Sequence, residues 1–179
     1  IGERKALVEG FGSSTAPFVA FNDDFIAKNG FEADISVRQA SDAQCALVGF
    51  LSGLKNRFDR NLKLKVNSFS IRSGETLSGS VDGLGGRNLA LLLVADDGYV
   101  YDLRSYLRRE ADPPTFGLKV QIAGKAGSRP TIVIAVASAK PLAGMPGTRP
   151  VTADALFSRL ATEAKQSNEP LGIALKYFR

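Results

Sequence analysis

The residues best suited to chemistry surround a predicted turn in the middle of the chain. Asp96 and Asp97 precede a glycine, and Tyr99 and Tyr101 follow it at alternating positions. With Asp102, the two acids could offer oxygen ligands to a hard cation, but such a cation takes about six or more ligands. Asp-Gly is also a usual sequence of a tight turn. Tyrosines on one strand face pack against neighbouring strands as readily as they bind a ligand. We therefore treat Asp96, Asp97, Tyr99 and Tyr101 as a weak candidate binding surface and assign no metal to it.

Two glycine-rich segments could hold an anion through backbone N–H groups. Gly83–Gly86 lacks the spacing of nucleotide-binding loops and leads into a strand, so a plain turn is favoured. Gly10–Ser14 lies between a strand and a helix, where a capped turn is the simpler interpretation. The adjacent acids Asp23 and Asp24 point in different directions on a helix and cannot act as a pair. We predict no catalytic residue and no cofactor.

Composition excludes several classes of site. With no histidine, one cysteine and no tryptophan in 179 residues, the chain cannot build a Ser-His-Asp triad, a Cys-His dyad or an ordinary zinc site. Cys45 has apolar neighbours at helical spacing, which favours a small buried side chain, and half of a disulfide with a partner outside this chain is the alternative. A chain that starts at Ile1 is expected to be a piece of a longer protein.

Charge and hydropathy limit the partners. The 23 Lys and Arg residues exceed the 18 Asp and Glu residues, which gives a net charge of +5. The basic residues are scattered and do not alternate with aromatic residues, so we predict no nucleic-acid partner. The longest apolar run, Leu89–Ala95, is shorter than the roughly 18–20 residues of a membrane span.

The period of the apolar residues changes near residue 60. Before residue 60, patterns typical of strands and helices alternate. The first predicted helix has an apolar face made of Phe18, Phe21, Phe25 and Ile26. The second predicted helix begins at a capping box, Ser41-x-x-Gln44. After residue 60, short strands at close spacing are typical of an antiparallel sandwich, and Asn88–Ala95 is apolar enough to be buried on both faces. The other predicted segments are strands at Leu62–Ile71, Thr76–Val81, Tyr99–Leu103, Thr115–Ile122 and Thr131–Ala137, a flexible connector at Gly144–Pro150, a helix at Thr152–Lys165 and a strand at Leu171–Phe178.

The pattern predicts an α+β fold with two parts. Residues 1–60 form a small α/β (βαβα) subdomain, and residues 61–179 form an antiparallel β-sandwich with a C-terminal helix and strand.

Several stretches carry a resemblance to a known family. They are Val8–Ser14 with Pro17-Phe18 and Gly30–Gln39, and Leu77-Ser78-Gly79 with Leu91–Gly98. Together they resemble the C-terminal region of a group of bacterial membrane-tethered serine/threonine protein kinases, in which a hydrophobic segment and a linker follow the kinase domain. The resemblance covers nearly the whole chain, but its motifs are structural glycines and strand residues that carry no mechanism.

The resemblance implies a non-catalytic accessory region in the periplasm or elsewhere outside the cytoplasm. Such a region is attached to the membrane only through a tether outside this chain. A cytoplasmic location stays open. It also implies a disulfide partner for Cys45, because the family pattern has a Gly-Asp-Cys-Phe segment upstream. We expect a sensing or protein-interaction module whose partner is a protein or a small envelope ligand.

Two other functions stay open. A small carboxylate-dependent hydrolase would need acids that converge in a pocket, one of them with a raised pKa. A structural cell-wall-associated domain would need aromatic or anion-accepting contacts for glycan or peptide carboxylates. The sensing module would need a groove or an exposed apolar patch.

Overall fold

The computed structural model describes residues 6–12, 14–55, 57–121, 131–167 and 169–178. These residues form an α+β fold of helices and three sheets, as the sequence predicts. The helices are α1 (Ala16–Asn29), α2 (Asp42–Leu54) and α3 (Ala153–Gln166), with a 3₁₀ turn at Arg104–Tyr106. The strands are β1 (Leu7–Gly12), β2 (Asp34–Gln39), β3 (Phe58–Asp59), β4 (Lys63–Val66), β5 (Thr76–Asp82), β6 (Asn88–Val94), β7 (Tyr99–Asp102), β8 (Leu107–Arg108), β9 (Thr115–Lys119), β10 (Thr131–Ser138), β11 (Val151–Thr152) and β12 (Leu171–Phe178).

Two of the sheets make a sandwich. The larger has the strand order β11-β7-β6-β10-β12-β3, and the smaller has the order β4-β5-β9-β8. Their facing side chains form one core, in which Leu77, Leu91 and Val133 are fully buried. The opposite face of the larger sheet packs against α2 and α3 through residues such as Leu92 and Ile134. Successive residues of β6 and β10 therefore enter different cores, which confirms that the apolar run beginning at Asn88 is buried on both faces.

Helix α2 packs on the sandwich although it precedes residue 60. Its predicted capping box is confirmed: Ser41 Oγ accepts a hydrogen bond from the Gln44 N–H at 3.3 Å, and Gln44 Oε1 accepts one from the Ser41 N–H at 3.1 Å. The ring of Phe50 stacks on Phe157 of α3 with centroids 5.6 Å apart. The apolar stripe of α2 is thus covered by α3 and the larger sheet. The division into residues 1–60 and 61–179 stays a prediction.

The segment β1–α1–β2 forms its own two-stranded parallel sheet, with Leu7 opposite Asp34 at one end. Helix α1 follows Thr15, whose side chain makes no capping bond, and ends at Gly30, which has a φ of +73°. The helix was predicted with an aromatic face, yet none of its residues is buried. Phe25 packs edge-on against Phe31, with ring centroids 5.3 Å apart. This unit therefore leaves apolar side chains open to solvent.

Some predicted segments differ in the structure. Phe69 and Ile71 do not continue a strand, because the chain turns into a loop after β4 and buries Ile71 in the sandwich core. In the predicted connector before α3, Gly144 is buried and its N–H donates to Glu163 Oε1 at 2.6 Å, whereas residues 147–150 are exposed. Ile122 lies outside the described residues. Within the described ranges, no helix has both the length and the apolar character that crossing a membrane demands.

Candidate functional site

The predicted surface lies on the hairpin that joins β6 to β7. Its turn contains Gly98 with a φ of +93°, a conformation that favours glycine. Asp97 Oδ1 accepts the N–H of Tyr99 at 2.9 Å, and Asp97 Oδ2 accepts the hydroxyl of Tyr101 at 2.7 Å. This hydrogen bond to Asp97, together with burial and the carboxylate charge, raises the pKa of Tyr101 to about 12. Asp97 therefore shapes the hairpin, and Asp96 beside it is exposed.

One of the four predicted residues, Tyr101, lines a large cleft. Tyr99 is 43% exposed on the surface, whereas Tyr101 is half-buried and lines a cleft of about 810 Å³. The cleft lies between β7, the 3₁₀ turn and the loop that precedes β11. We call it the arginine–tyrosine cleft, because its lining combines buried or half-buried leucines with two tyrosines and three arginines. These residues are Leu93, Leu103, Leu118, Tyr101, Tyr106, Arg104, Arg109 and Arg149.

Arg104 is a structural member of this lining. Its guanidinium holds the Asp102 carboxylate, with Nε 2.7 Å and Nη2 2.5 Å from Oδ2, and the bond raises the pKa of Arg104. Nη2 also donates to the carbonyl oxygen of Pro146 at 3.0 Å. Arg104 therefore fastens the loop before β11 to the 3₁₀ turn, and its charge is already balanced by Asp102.

Asp96, Asp97 and Asp102 were considered above as ligands for a hard cation. Two of these three carboxylates are engaged in contacts within the fold. Asp97 accepts hydrogen bonds from a backbone N–H and a phenol, and Asp102 is paired with Arg104. Within the described part of the chain, no three Cys, Asp or Glu side chains are grouped as metal ligands. Asp97 and Asp102 therefore serve the fold.

Arg109 and Arg149 differ from Arg104. Both side chains are exposed, and no carboxylate among the described residues forms an ion pair with either. Sequence reasoning missed both: Arg109 directly follows β8 and forms a short basic pair with Arg108, and Arg149 lies in the segment predicted as a connector. Only the fold brings these distant positions to one cleft. The one available signal was an arginine between threonine and proline in a loop.

The structure describes one of the two glycine-rich segments completely and the other only in part. Gly83–Gly86 forms a turn that leads into β6, with positive φ at three of its glycines, as the turn interpretation predicts. The turn borders a second cleft of about 500 Å³, which shares Arg109 with the first. In the segment Gly10–Ser14, Gly12 ends β1 and Ser13 lies outside the described residues.

Cys45 lies on α2 and is half-buried, less enclosed than the small buried side chain that its neighbours favoured. Its position beside the first turn of the helix leaves the thiol partly open to solvent. The disulfide with a cysteine outside this chain stays a prediction.

Comparisons with protein-family models, curated proteins and solved structures find no match for this chain. A proposal about its function therefore has to start from the geometry of the structure itself.

Proposed function

We propose that this chain is a non-catalytic sensing module of a bacterial serine/threonine kinase signalling protein, and that it binds an anionic ligand in the arginine–tyrosine cleft. The kinase context rests on the resemblance of the stretches Val8–Ser14 and Leu91–Gly98. The binding role rests on one observation: Arg109 and Arg149 line the same cleft without a carboxylate partner among the described residues.

The lining suits a carboxylate or a phosphate. A guanidinium presents a planar fork of donors that matches both anions, and such charge-assisted hydrogen bonds are stronger than neutral ones. The lining also includes the exposed Tyr106, whose hydroxyl can donate, and the buried Leu103. Apolar lining residues lower the local dielectric constant, which strengthens the attraction between the arginines and an anion.

The carboxylates favour binding over hydrolysis. A carboxylate-dependent hydrolase needs an acid with a raised pKa. Asp97 and Asp102 accept hydrogen bonds from Tyr101 and Arg104 within the fold. At Asp59, the backbone N–H of Asn61 and then the charge of Arg87, 2.9 Å away, lower the pKa of the carboxyl group.

Calorimetric titration with inorganic phosphate and with acetate tests the proposal. We expect binding of at least one anion, and a loss of affinity of about tenfold or more in Arg149→Gln and in Arg109→Gln, because each removes a charged hydrogen bond of about 1.5–3 kcal/mol. Arg159→Gln is the matched control, since Arg159 lies exposed on α3, where its Nε donates to the Ala155 carbonyl. Wild-type protein that binds neither anion, or equal affinity in all three variants, would disprove the proposed site.

The structural cell-wall-associated domain is a second candidate, because Tyr106 is 48% exposed beside the arginines. An exposed aromatic face next to anion acceptors suits a sugar ring with a peptide carboxylate. We expect such a domain to pellet with purified peptidoglycan and to lose this binding in Tyr106→Ala. Binding of free phosphate or acetate without pelleting would favour the sensing module instead.

A further inference from the structure

The arginine–tyrosine cleft lies at one edge of the sandwich. The 3₁₀ turn joins β7 of the larger sheet to β8 of the smaller sheet, and it contacts β6 and β9, one strand from each sheet. Towards the opposite edge the two sheets come together, because β4 contacts β12. The cleft therefore opens on the side of the sandwich where the 3₁₀ turn connects the two sheets.

Buried side chains of the sandwich core line part of the cleft. Leu103 and Leu118 belong to the core between the two sheets and are only 2% and 8% exposed. Leu93 is half-buried and packs against the same core. Most of the lining surface is apolar, although Ser105 and Thr148 also contribute to it. The cleft thus extends from solvent to leucines that both sheets bury.

The two arginines without a carboxylate partner among the described residues come from different sheets. Arg109 directly follows β8 of the smaller sheet, and Pro150 alone separates Arg149 from β11 of the larger sheet. Both side chains are exposed. Since Asp102 is paired with Arg104, these two arginines leave the lining with two positive charges in excess. A ligand in the cleft therefore meets charge at exposed residues and apolar surface at buried ones.

The cleft is also larger than an inorganic anion requires. Its volume of about 810 Å³ is within the range of sites for small organic molecules, which are mostly apolar with a few placed polar groups. An inorganic anion would contact the arginines and leave the apolar lining in water. A ligand with an apolar body covers that lining and gains about fourfold in affinity for each methylene group that it buries.

We propose that the ligand of this cleft is an amphipathic anion. A carboxylate or phosphate group is held by Arg109 and Arg149, and the apolar body attached to it lies against Leu93, Leu103 and Leu118. This inference rests on the proposed function, because the same two arginines hold the charged group. It adds the part of the ligand that the arginines do not contact, and it makes the module selective for such ligands over small anions.

Calorimetric titration of the wild-type protein with matched anions tests the apolar body. Acetate and hexanoate share a carboxylate, and methyl phosphate and hexyl phosphate share a phosphate. With about two to three methylene groups buried, the long member of at least one pair should bind about 10- to 100-fold more tightly than the short one. The pair with the tighter ligand identifies the charged group. Hexanol, which has no charge, should bind at least about tenfold more weakly than that ligand.

Two leucine variants locate the apolar body. Leu93 and Leu84 are both half-buried against the sandwich core, but Leu93 lines this cleft and Leu84 lines the second one. Leu93→Ala should weaken binding of the long anion by about 4- to 15-fold, the contribution of one to two methylene groups, and leave the short anion unchanged. Leu84→Ala is the matched control and should change neither affinity.

Failure of the amphipathic ligand and failure of the anion site give different results. Equal affinities for the short and long members of both pairs, with the loss in Arg109→Gln and Arg149→Gln intact, would overturn the amphipathic ligand and leave the anion site standing. A chain-length effect that Leu84→Ala reduces as much as Leu93→Ala would overturn it too. A long anion that binds equally to the wild type and to both arginine variants would refute the anion site, and this inference with it. The chain-length comparison uses the wild-type protein, so it does not depend on the folding of any variant.

Discussion

The packing of α2 on the sandwich makes a quantitative prediction at Leu47. Its side chain is 1% exposed in the core between α2, α3 and the larger sheet. Leu47→Ala removes three carbon atoms, worth about 2.4 kcal/mol at roughly 0.8 kcal/mol each. The cavity left behind adds to this loss, and measured leucine-to-alanine costs in cores are about 2–5 kcal/mol. We expect the free energy of unfolding to fall by about 2.5–5 kcal/mol.

The neighbouring residue is a matched control. Val48 is on the same helix but is 48% exposed. Val48→Ala loses about half of the transfer energy of two carbon atoms, roughly 0.8 kcal/mol, and recovers up to about 0.7 kcal/mol because alanine has the higher helix propensity. The free energy of unfolding should therefore fall by less than about 0.8 kcal/mol.

Urea unfolding followed by circular dichroism and by tyrosine fluorescence measures both variants. If α2 is part of the core, the two signals coincide in each protein and the midpoint falls only in Leu47→Ala. Equal midpoints for the two variants, or a separate early transition in the wild type, would show that α2 does not share the sandwich core.

Two further predictions concern a titration and a close contact. Because the pKa of Tyr101 is raised from 10.0 to about 12, its hydrogen bond to Asp97 stabilises the fold fully below pH 10, and this contribution is lost as the pH rises through about 12. Asp97→Asn should lower this pKa towards 10.0. The pKa is measured from phenolate absorbance, with the matched Tyr101→Phe protein as the reference for the other tyrosines. A wild-type Tyr101 whose pKa stays at 10.0 would contradict the contact. Gly79→Ala should destabilise the fold by about 1–3 kcal/mol, because its Cβ would collide with the Lys65 carbonyl oxygen. Gly117→Ala would make only an ordinary contact with the Thr76 methyl group at 4.0 Å and should be near neutral in thermal melts. Equal melting temperatures for the two variants would argue against this packing.

Part of the fold could be predicted from patterns of adjacent residues. The capping box at Ser41, the Asp-Gly turn before β7 and the apolar run of β6 each depend on a few adjacent residues, and all three are present in the structure. The two-residue strands β3, β8 and β11 were not predicted, because a pair of residues has no measurable period.

Features that depend on distant parts of the chain were not predictable. The apolar stripe of α2 shows that the helix must be covered but not by which layer. The aromatic face of α1 has the same pattern whether it is buried in its own chain or left open for another. At the candidate site, Tyr101 was identified from its strand, whereas Arg109 and Arg149 reach the same cleft only through the sheet topology.

The position of β12 has a consequence for synthesis on the ribosome. This strand comes last in chain order but lies between β10 and β3 in the larger sheet, and Phe178 fills the core between the two sheets. Until β12 has been translated, one edge of β10 is unpaired, although Val133–Ala137 are fully buried in the finished fold. Nascent chains therefore expose an unpaired apolar edge of β10, whose protection depends on late, non-local pairing.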